Sequence, residues 1–192
     1  MGVEYELKYA ANEEILTRIG ADYPKGIVLR MESAYYDTPD GRLSKKRYTL
    51  RKRQENGMSI CTVKTPGKGI SRGEWECEKA DIETALPILC KLGGPEKLLT
   101  LPPLIPVCGA RFTRLSRLLT LPDAQIELAL DRGILLGSGR ELPFCEVELE
   151  LKEGSEESLL ALANAIAEEF SLKPEPKSKF QRARELTSDN ES

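Results

Sequence analysis

The chain has 192 residues, 40% hydrophobic and 31% charged, with a formal net charge of -3 and no histidine. Without histidine, Ser-His-Asp and Cys-His catalysis and histidine-ligated zinc or iron centres are excluded, so a metal would be held by oxygen, which means magnesium, manganese or calcium. The mildly acidic balance argues against a nucleic-acid surface, and the length and apolar content suit one domain with a real core.

In chain order, Val3-Glu4-Tyr5-Glu6-Leu7-Lys8-Tyr9 reads as a strand with Glu4, Glu6 and Lys8 on one face and apolar residues on the other. Asn12 caps a helix that ends by Gly20, with Glu13 and Glu14 in its first turn. Strands are expected at Val28 to Tyr36, Tyr48 to Gln54 and Met58 to Thr65, with Pro39-Asp40-Gly41 as a turn and Asn56-Gly57 joining the last two as a hairpin. Pro66-Gly67-Lys68-Gly69 leads to a strand at Ser71 to Glu78. A helix follows from Thr84 to Leu92, with Pro87 in its first turn, and Leu101 to Pro106 is a connection. Strands then follow at Thr113 to Leu121, Gln125 to Asp131 and Phe144 to Lys152. Ser155 caps a third helix bearing Leu159, Leu162, Ala163, Ile166 and Phe170 at helical spacing. Beyond Pro174-Glu175-Pro176, Lys177 and Lys179 share one strand parity and Phe180 the other, and 187–192 is a disordered tail. One domain over 1–186 is expected.

Five cysteines, at 61, 77, 90, 108 and 145, stand at least thirteen residues apart, so neither a CxxC redox pair nor a zinc knuckle can be written. They are read as free thiols in a reducing compartment. No apolar run approaches the length of a membrane span and no leader pattern is seen, so a soluble cytoplasmic protein without a membrane partner is expected.

About eight strands with three helices suggest a mainly β, α+β protein: an eight-stranded antiparallel closed β-barrel with helices packed outside, closure removing exposed edges. Taken singly, each charged strand face reads as a solvated exterior. Taken together they segregate, acids on the strands of Glu4, Glu74 and Glu148, bases on those of Arg51, Lys64 and Arg114. A solvated face normally mixes its signs, and Glu146, Glu148 and Glu150 in a row repel unless a cation sits there. A charged interior holding a divalent cation on the acids and a polyphosphate on the bases accounts for the set.

Glu4-x-Glu6-x-Lys8, Tyr36-Asp37-Thr38-Pro39, Leu50-Arg51-x-Arg53, Thr62-x-Lys64, Ser71-Arg72-x-Glu74-x-Glu76, Glu148-x-Glu150 and Ser178-Lys179 together resemble the CYTH superfamily, the triphosphate tunnel metalloenzymes. The resemblance spans Glu4 to about Arg184 and implies an eight-stranded tunnel that binds a triphosphate with Mg²⁺ or Mn²⁺ and hydrolyses it. By position it implies metal binding at Glu4, Glu6, Glu74, Glu76, Glu146, Glu148 and Glu150. Phosphate binding is implied at Lys8, Arg51, Arg53, Lys64, Arg72, Arg114 and Lys179, with Lys8, Glu6 and Glu76 taking part in the chemistry. Glu127 is a further neighbour, and Arg117 either joins Arg114 or points away. The expected substrate is inorganic triphosphate, acted on by a monomer or homodimer. A thiamine triphosphatase, a class IV adenylate cyclase or a non-catalytic polyphosphate or nucleotide sensor would keep the same cradle.

Overall fold

The computed structural model describes residues 2–188. Its strands are β1 (Gly2–Ala10), β2 (Ile27–Asp37), β3 (Thr49–Glu55), β4 (Met58–Pro66), β5 (Ser71–Glu78), β6 (Ile105–Thr120), β7 (Ala124–Gly137), β8 (Arg140–Gly154) and the short β9 (Lys173–Pro174). Its helices are α1 (Glu13–Asp22), the one-turn α2 (Arg42–Lys45), α3 (Ile82–Lys91), α4 (Glu156–Glu169) and α5 (Lys179–Ser188), with a 3-10 turn at Glu96–Thr100.

The strands form one antiparallel sheet in the order β5-β4-β3-β2-β6-β7-β8-β1, and pairing of Gly2–Tyr5 with Ser71–Glu74 joins β1 to β5 and closes it into an eight-stranded barrel. β9 adds to β1 through Tyr9 and Ala10. Because side chains alternate across a strand, closure sends one parity inward and the other outward. The outward apolar parity forms two layers. Leu128, Leu130, Val147 and Leu149 pack under Leu16 and Ile19 of α1 and Leu159, Ala163 and Ile166 of α4. Leu50, Cys61 and Val63 pack under Ile82, Ala85 and Leu89 of α3. All five cysteines are free, Cys77 and Cys145 lying partly buried against these layers.

The barrel, the Asn12 cap and the Ser155 cap agree with expectation: Asn12 Oδ1 accepts from Ile15 N at 2.8 Å and Ser155 Oγ from Ser158 N at 3.3 Å. At the hairpin tip, Asn56 and Gly57 take φ of 47° and 92°, the positive pair that a two-residue turn between twisted strands needs.

Four boundaries differ. α3 begins at Ile82, where Asp81 Oδ1 accepts from Thr84 N at 2.8 Å, so Pro87 lies inside the helix at an exposed position rather than in its first turn. β6 starts at Ile105 in place of Thr113, and β7 and β8 continue to the turn at Ser138-Gly139. These extensions were masked by glycine and proline at 133 and 143, and their inner residues Ala110, Phe112, Leu135 and Phe144 find apolar cover only in the folded chain.

That cover is the fourth difference. Lys177 to Phe180 does not run as a strand. Lys179 opens α5, and Ser178 and Gln181 exchange caps, Ser178 Oγ accepting from Gln181 N at 3.1 Å and Gln181 Oε1 from Ser178 N at 2.8 Å. Unlike α1, α3 and α4, α5 lies on the inner parity of β6 to β8, with Phe180 and Ala183 against Phe112, Leu135 and Phe144. Thr187 and Ser188 belong to α5 and not to a tail, and residues 189–192 lie outside the described residues.

Candidate functional site

The inner parity collects the charged residues around a chamber of about 670 Å³. Register sets who faces whom. Lys8 lies opposite Glu148, Glu6 opposite Glu150, Glu4 opposite Arg72, Glu74 opposite Lys64, and Glu76 opposite Thr62, which in turn faces Arg51. Of the fourteen expected site residues, all but Glu146 line the chamber. Glu127 lines it too.

On the acidic wall, Lys64 Nζ is 2.6 Å from Glu4 Oε1 and 3.4 Å from Glu74 Oε1, and Arg72 Nη2 is 2.5 Å from Glu6 Oε2. Glu4 Oε2 is buried with no hydrogen-bond partner. Burial, reinforced by Glu148 and Glu4, pushes the Glu6 carboxyl up to about 8 despite Lys64 and Arg72. Burial acts on Glu4 in the same sense, but Lys64 outweighs it and its carboxyl falls below the ordinary value. Lys152 bridges Glu127 Oε2 at 2.7 Å and Glu150 Oε1 at 2.8 Å.

On the basic wall, Arg51 Nη2 donates to Thr62 Oγ1 at 3.4 Å, and Arg53 Nη2 is 2.7 Å from Glu55 Oε2. The Nε atoms of both arginines are buried without partners. Lys8 Nζ donates to the Lys177 carbonyl at 3.0 Å, and burial lowers its pKa.

Beneath the chamber three carboxylates meet three cations. Arg114 forks onto Asp131 through Nε and Nη2, both at 2.8 Å, and also meets Glu148. Lys179 Nζ reaches Asp131 at 2.8 Å, Glu148 at 2.7 Å and Glu146, while Arg182 holds the far oxygen of Glu146. The carboxylates of Asp131, Glu146 and Glu148 are close enough to share one ion, but Arg114, Lys179 and Arg182 occupy the space between them. Glu146 is thus sequestered from the chamber. Burial raises its carboxyl to about 7 even beside Lys179. Glu148 falls well below the ordinary range, because Lys179 and Arg114 overcome its burial.

Arg117 points away. It lies on the outer parity and donates from Nη2 to the Gly20 carbonyl at 3.1 Å, at the end of α1. Residues 114 and 117, three apart on one strand, cannot share a face.

Sequence reasoning missed Asp131, Lys152, Arg182 and Glu55. Asp131 shares parity with Glu127, Lys152 with Glu150, and Glu55 with Arg53, so extending the alternation by one step reaches Lys152 and Glu55, and by two steps Asp131. Arg182 needed α5, signalled by the Ser178-x-x-Gln181 capping pattern. Tyr36-Asp37-Thr38-Pro39 does no chamber chemistry. Asp37 is buried and accepts from the backbone N–H groups of Thr38, Leu43 and Ser44 at 2.8, 2.8 and 3.0 Å, fastening α2 to β2.

A second cavity, of about 570 Å³, shares Glu6, Lys8, Thr49, Lys64, Arg72, Ser178 and Phe180 with the chamber and is lined further by Arg47, Tyr48 and Pro176. The two cavities therefore adjoin at the shared residues. No helix among the described residues is long and apolar enough to cross a membrane.

The family model for the CYTH domain matches residues 2–183. The chain is 32% identical over 167 residues to an inorganic triphosphatase of Haemophilus influenzae, a match covering 81% of this chain and 47% of the relative, so the chain spans about half that relative's length. Among solved structures, a Hippeastrum protein studied as an adenylyl cyclase and found to have a dominant triphosphatase activity superposes with a TM-score of 0.68 at 16% identity, covering 97% of each chain. A Pyrococcus horikoshii protein gives 0.66 at 22% identity, covering 95% of this chain and 98% of its own. At these identities the likeness is one of fold.

Proposed function

The chain belongs to the CYTH family, and on that premise we propose that it is a divalent-cation-dependent triphosphatase acting on inorganic triphosphate in the chamber. The observation that carries this reading is the facing of two imperfectly satisfied walls: the unpartnered Nε atoms of Arg51 and Arg53 on one, and the unpartnered Glu4 oxygen with the crowded Glu6 carboxyl on the other. Buried polar groups left in this state are costly, and a ligand with phosphoryl oxygens and a cation completes both walls. The similarity to an inorganic triphosphatase supports the choice of substrate.

The donor set fits a hard cation. It is all oxygen, and Glu4, Glu6, Glu74, Glu76, Glu148 and Glu150 are the residues that would hold Mg²⁺ or Mn²⁺. When bound, such an ion supplies charge neutralisation on the phosphoryl oxygens and acidifies water. Arg51, Arg53, Lys64, Arg72, Arg114 and Lys179 would grip the phosphate chain, their guanidinium forks matching paired oxygens. Lys8, its pKa lowered by burial, lines the chamber, where its ammonium would stabilise the departing phosphate. Glu6 and Glu76 line the chamber where they could orient the attacking water and take its proton. Because phosphoryl transfer needs mainly positioning and charge stabilisation, no histidine is required. We place the protein in the cytoplasm on its free thiols.

The test is a substrate panel of inorganic triphosphate, thiamine triphosphate and ATP with Mg²⁺ or Mn²⁺, read for phosphate and for cyclic nucleotide. Phosphate from inorganic triphosphate at the highest kcat/KM supports the reading. Cyclic AMP would make it a cyclase, and tight binding without turnover a sensor.

A further inference from the structure

The inner face of β3 reads Thr49, Arg51, Arg53, Glu55. Thr49 lines both cavities, whereas Arg51, Arg53 and Glu55 line only the main chamber, so the strand runs from the junction of the two cavities into the main chamber. Inner-face residues two apart on a strand are separated by about 7 Å. A linear polyphosphate lying along β3 therefore meets two cations and then an anion. Glu55 cannot swing aside with the hairpin tip, because Asn56 is clamped to β2: its N–H donates to the Arg30 carbonyl at 3.3 Å and its Oδ1 accepts from Arg30 N at 3.0 Å. The Arg53–Glu55 contact, at 2.7 Å, leaves Arg53 Nε unpartnered, so an incoming phosphate can take the guanidinium while Glu55 stays in place.

Resting on the reading of the chamber as a triphosphate site, we propose that Glu55 is a specificity-determining residue that ends the phosphate track. Its carboxylate faces any phosphoryl group carried past Arg53 and selects against linear polyphosphates longer than three, by repulsion rather than by lost contacts. The selection acts on chain length alone. A residue that merely neutralised Arg53 would weaken all polyphosphates alike.

The experiment compares kcat/KM for tripolyphosphate and tetrapolyphosphate, with Mg²⁺, in wild type, Glu55→Gln and Glu55→Asp. The tetra-to-tri ratio is expected to rise about tenfold in Glu55→Gln and to return toward wild type in Glu55→Asp, which keeps the charge. Taking a ratio on one preparation cancels any loss of folded protein, and Glu55→Ala repeats the comparison should the Gln variant not fold. An unchanged ratio in the charge-removing variants overturns the proposal. Calorimetric titration of both polyphosphates without cation separates the two levels of inference: no turnover by wild type defeats the functional reading, whereas a binding ratio insensitive to Glu55 defeats the length selection.

Discussion

Lys179→Met removes an α5 cation that touches all three carboxylates beneath the chamber. In the wild type Nζ lies 2.8 Å from Asp131 and 2.7 Å from Glu148, meets Glu146, and stands 5.2 and 5.4 Å from the Phe112 and Phe144 ring centres. Breaking a buried ion pair from one side costs about 3–5 kcal/mol. Methionine fills the stem's volume, and Arg114 and Arg182 keep hold of the same acids, so the low end, about 3 kcal/mol, is expected. In a chain of this size that corresponds to a Tm lower by roughly 6–12 °C. The pH dependence has a definite sign. Burial opposes the charge on Lys179, but Asp131, Glu148 and Glu146 outweigh it and raise its pKa well above the ordinary value. A base raised in the fold contributes its full stability below its unfolded pKa of about 10.5, so this contribution is constant from pH 5 to 8. The variant's acids, one cation short, would have raised pKa values and lose stability as pH climbs. The Tm gap should thus be wider at pH 8 than at pH 5 in differential scanning fluorimetry without divalent ions. A gap under about 2 °C at pH 8, less than about 1 kcal/mol, would refute the load assigned to Lys179. Turnover supplies a second reading: kcat/KM should fall at least about tenfold at a temperature where both proteins are folded, as for loss of a charged hydrogen bond.

Glu6→Gln should lower Mg²⁺-dependent turnover about 10- to 100-fold. In EDTA the same variant should be no less stable than wild type at pH 8, because a carboxyl raised from 4.5 to about 8 contributes stability at low pH and loses it as pH rises through that window; a lower Tm at pH 8 contradicts the crowding described for Glu6. Arg51→Ala and Arg53→Ala should each raise KM for triphosphate about 10- to 100-fold, the worth of a hydrogen bond to a charged group, and unchanged KM values would remove β3 from the phosphate site. Asp37→Ala strands three backbone donors, two of them buried and one partly buried, and should cost about 3 kcal/mol in urea unfolding while leaving kcat near wild type at low temperature; a large loss of kcat with intact stability would give Asp37 a role at the chamber.

The barrel was legible because alternation does two jobs at once. In β1 and β8 the same alternation that buries Leu7, Val147 and Leu149 under helices on one parity presents Glu6, Lys8, Glu148 and Glu150 inward on the other, so a two-residue period discloses both the core and the site. What stayed hidden depends on contacts between distant segments. The extensions of β6 to β8 are apolar toward a helix that arrives some forty residues after the hairpin turn at Ser138-Gly139, and Gly133 and Pro143 read locally as breakers. Lys179 is legible at the chamber from its family position, but the helix that carries it is not, because Pro174 and Pro176 dominate the local pattern. The partners of Glu146 could not be read from its own strand, since both sit on α5.

Closure of the barrel through β1 also sets conditions on the chain while it is being made. β1 is made before both of its barrel partners, Ser71–Glu74 and Glu146–Glu150, so this strand waits as an open edge until they emerge. An unpaired apolar strand in that position would invite pairing with neighbouring nascent chains. Glu4, Glu6 and Lys8 make such pairing unfavourable, because a stacked copy would bring like charges face to face. The charges that line the finished chamber thus also keep the waiting strand apart from its copies, and replacing them with apolar residues would be expected to lower the yield of soluble protein before any effect on catalysis could be measured.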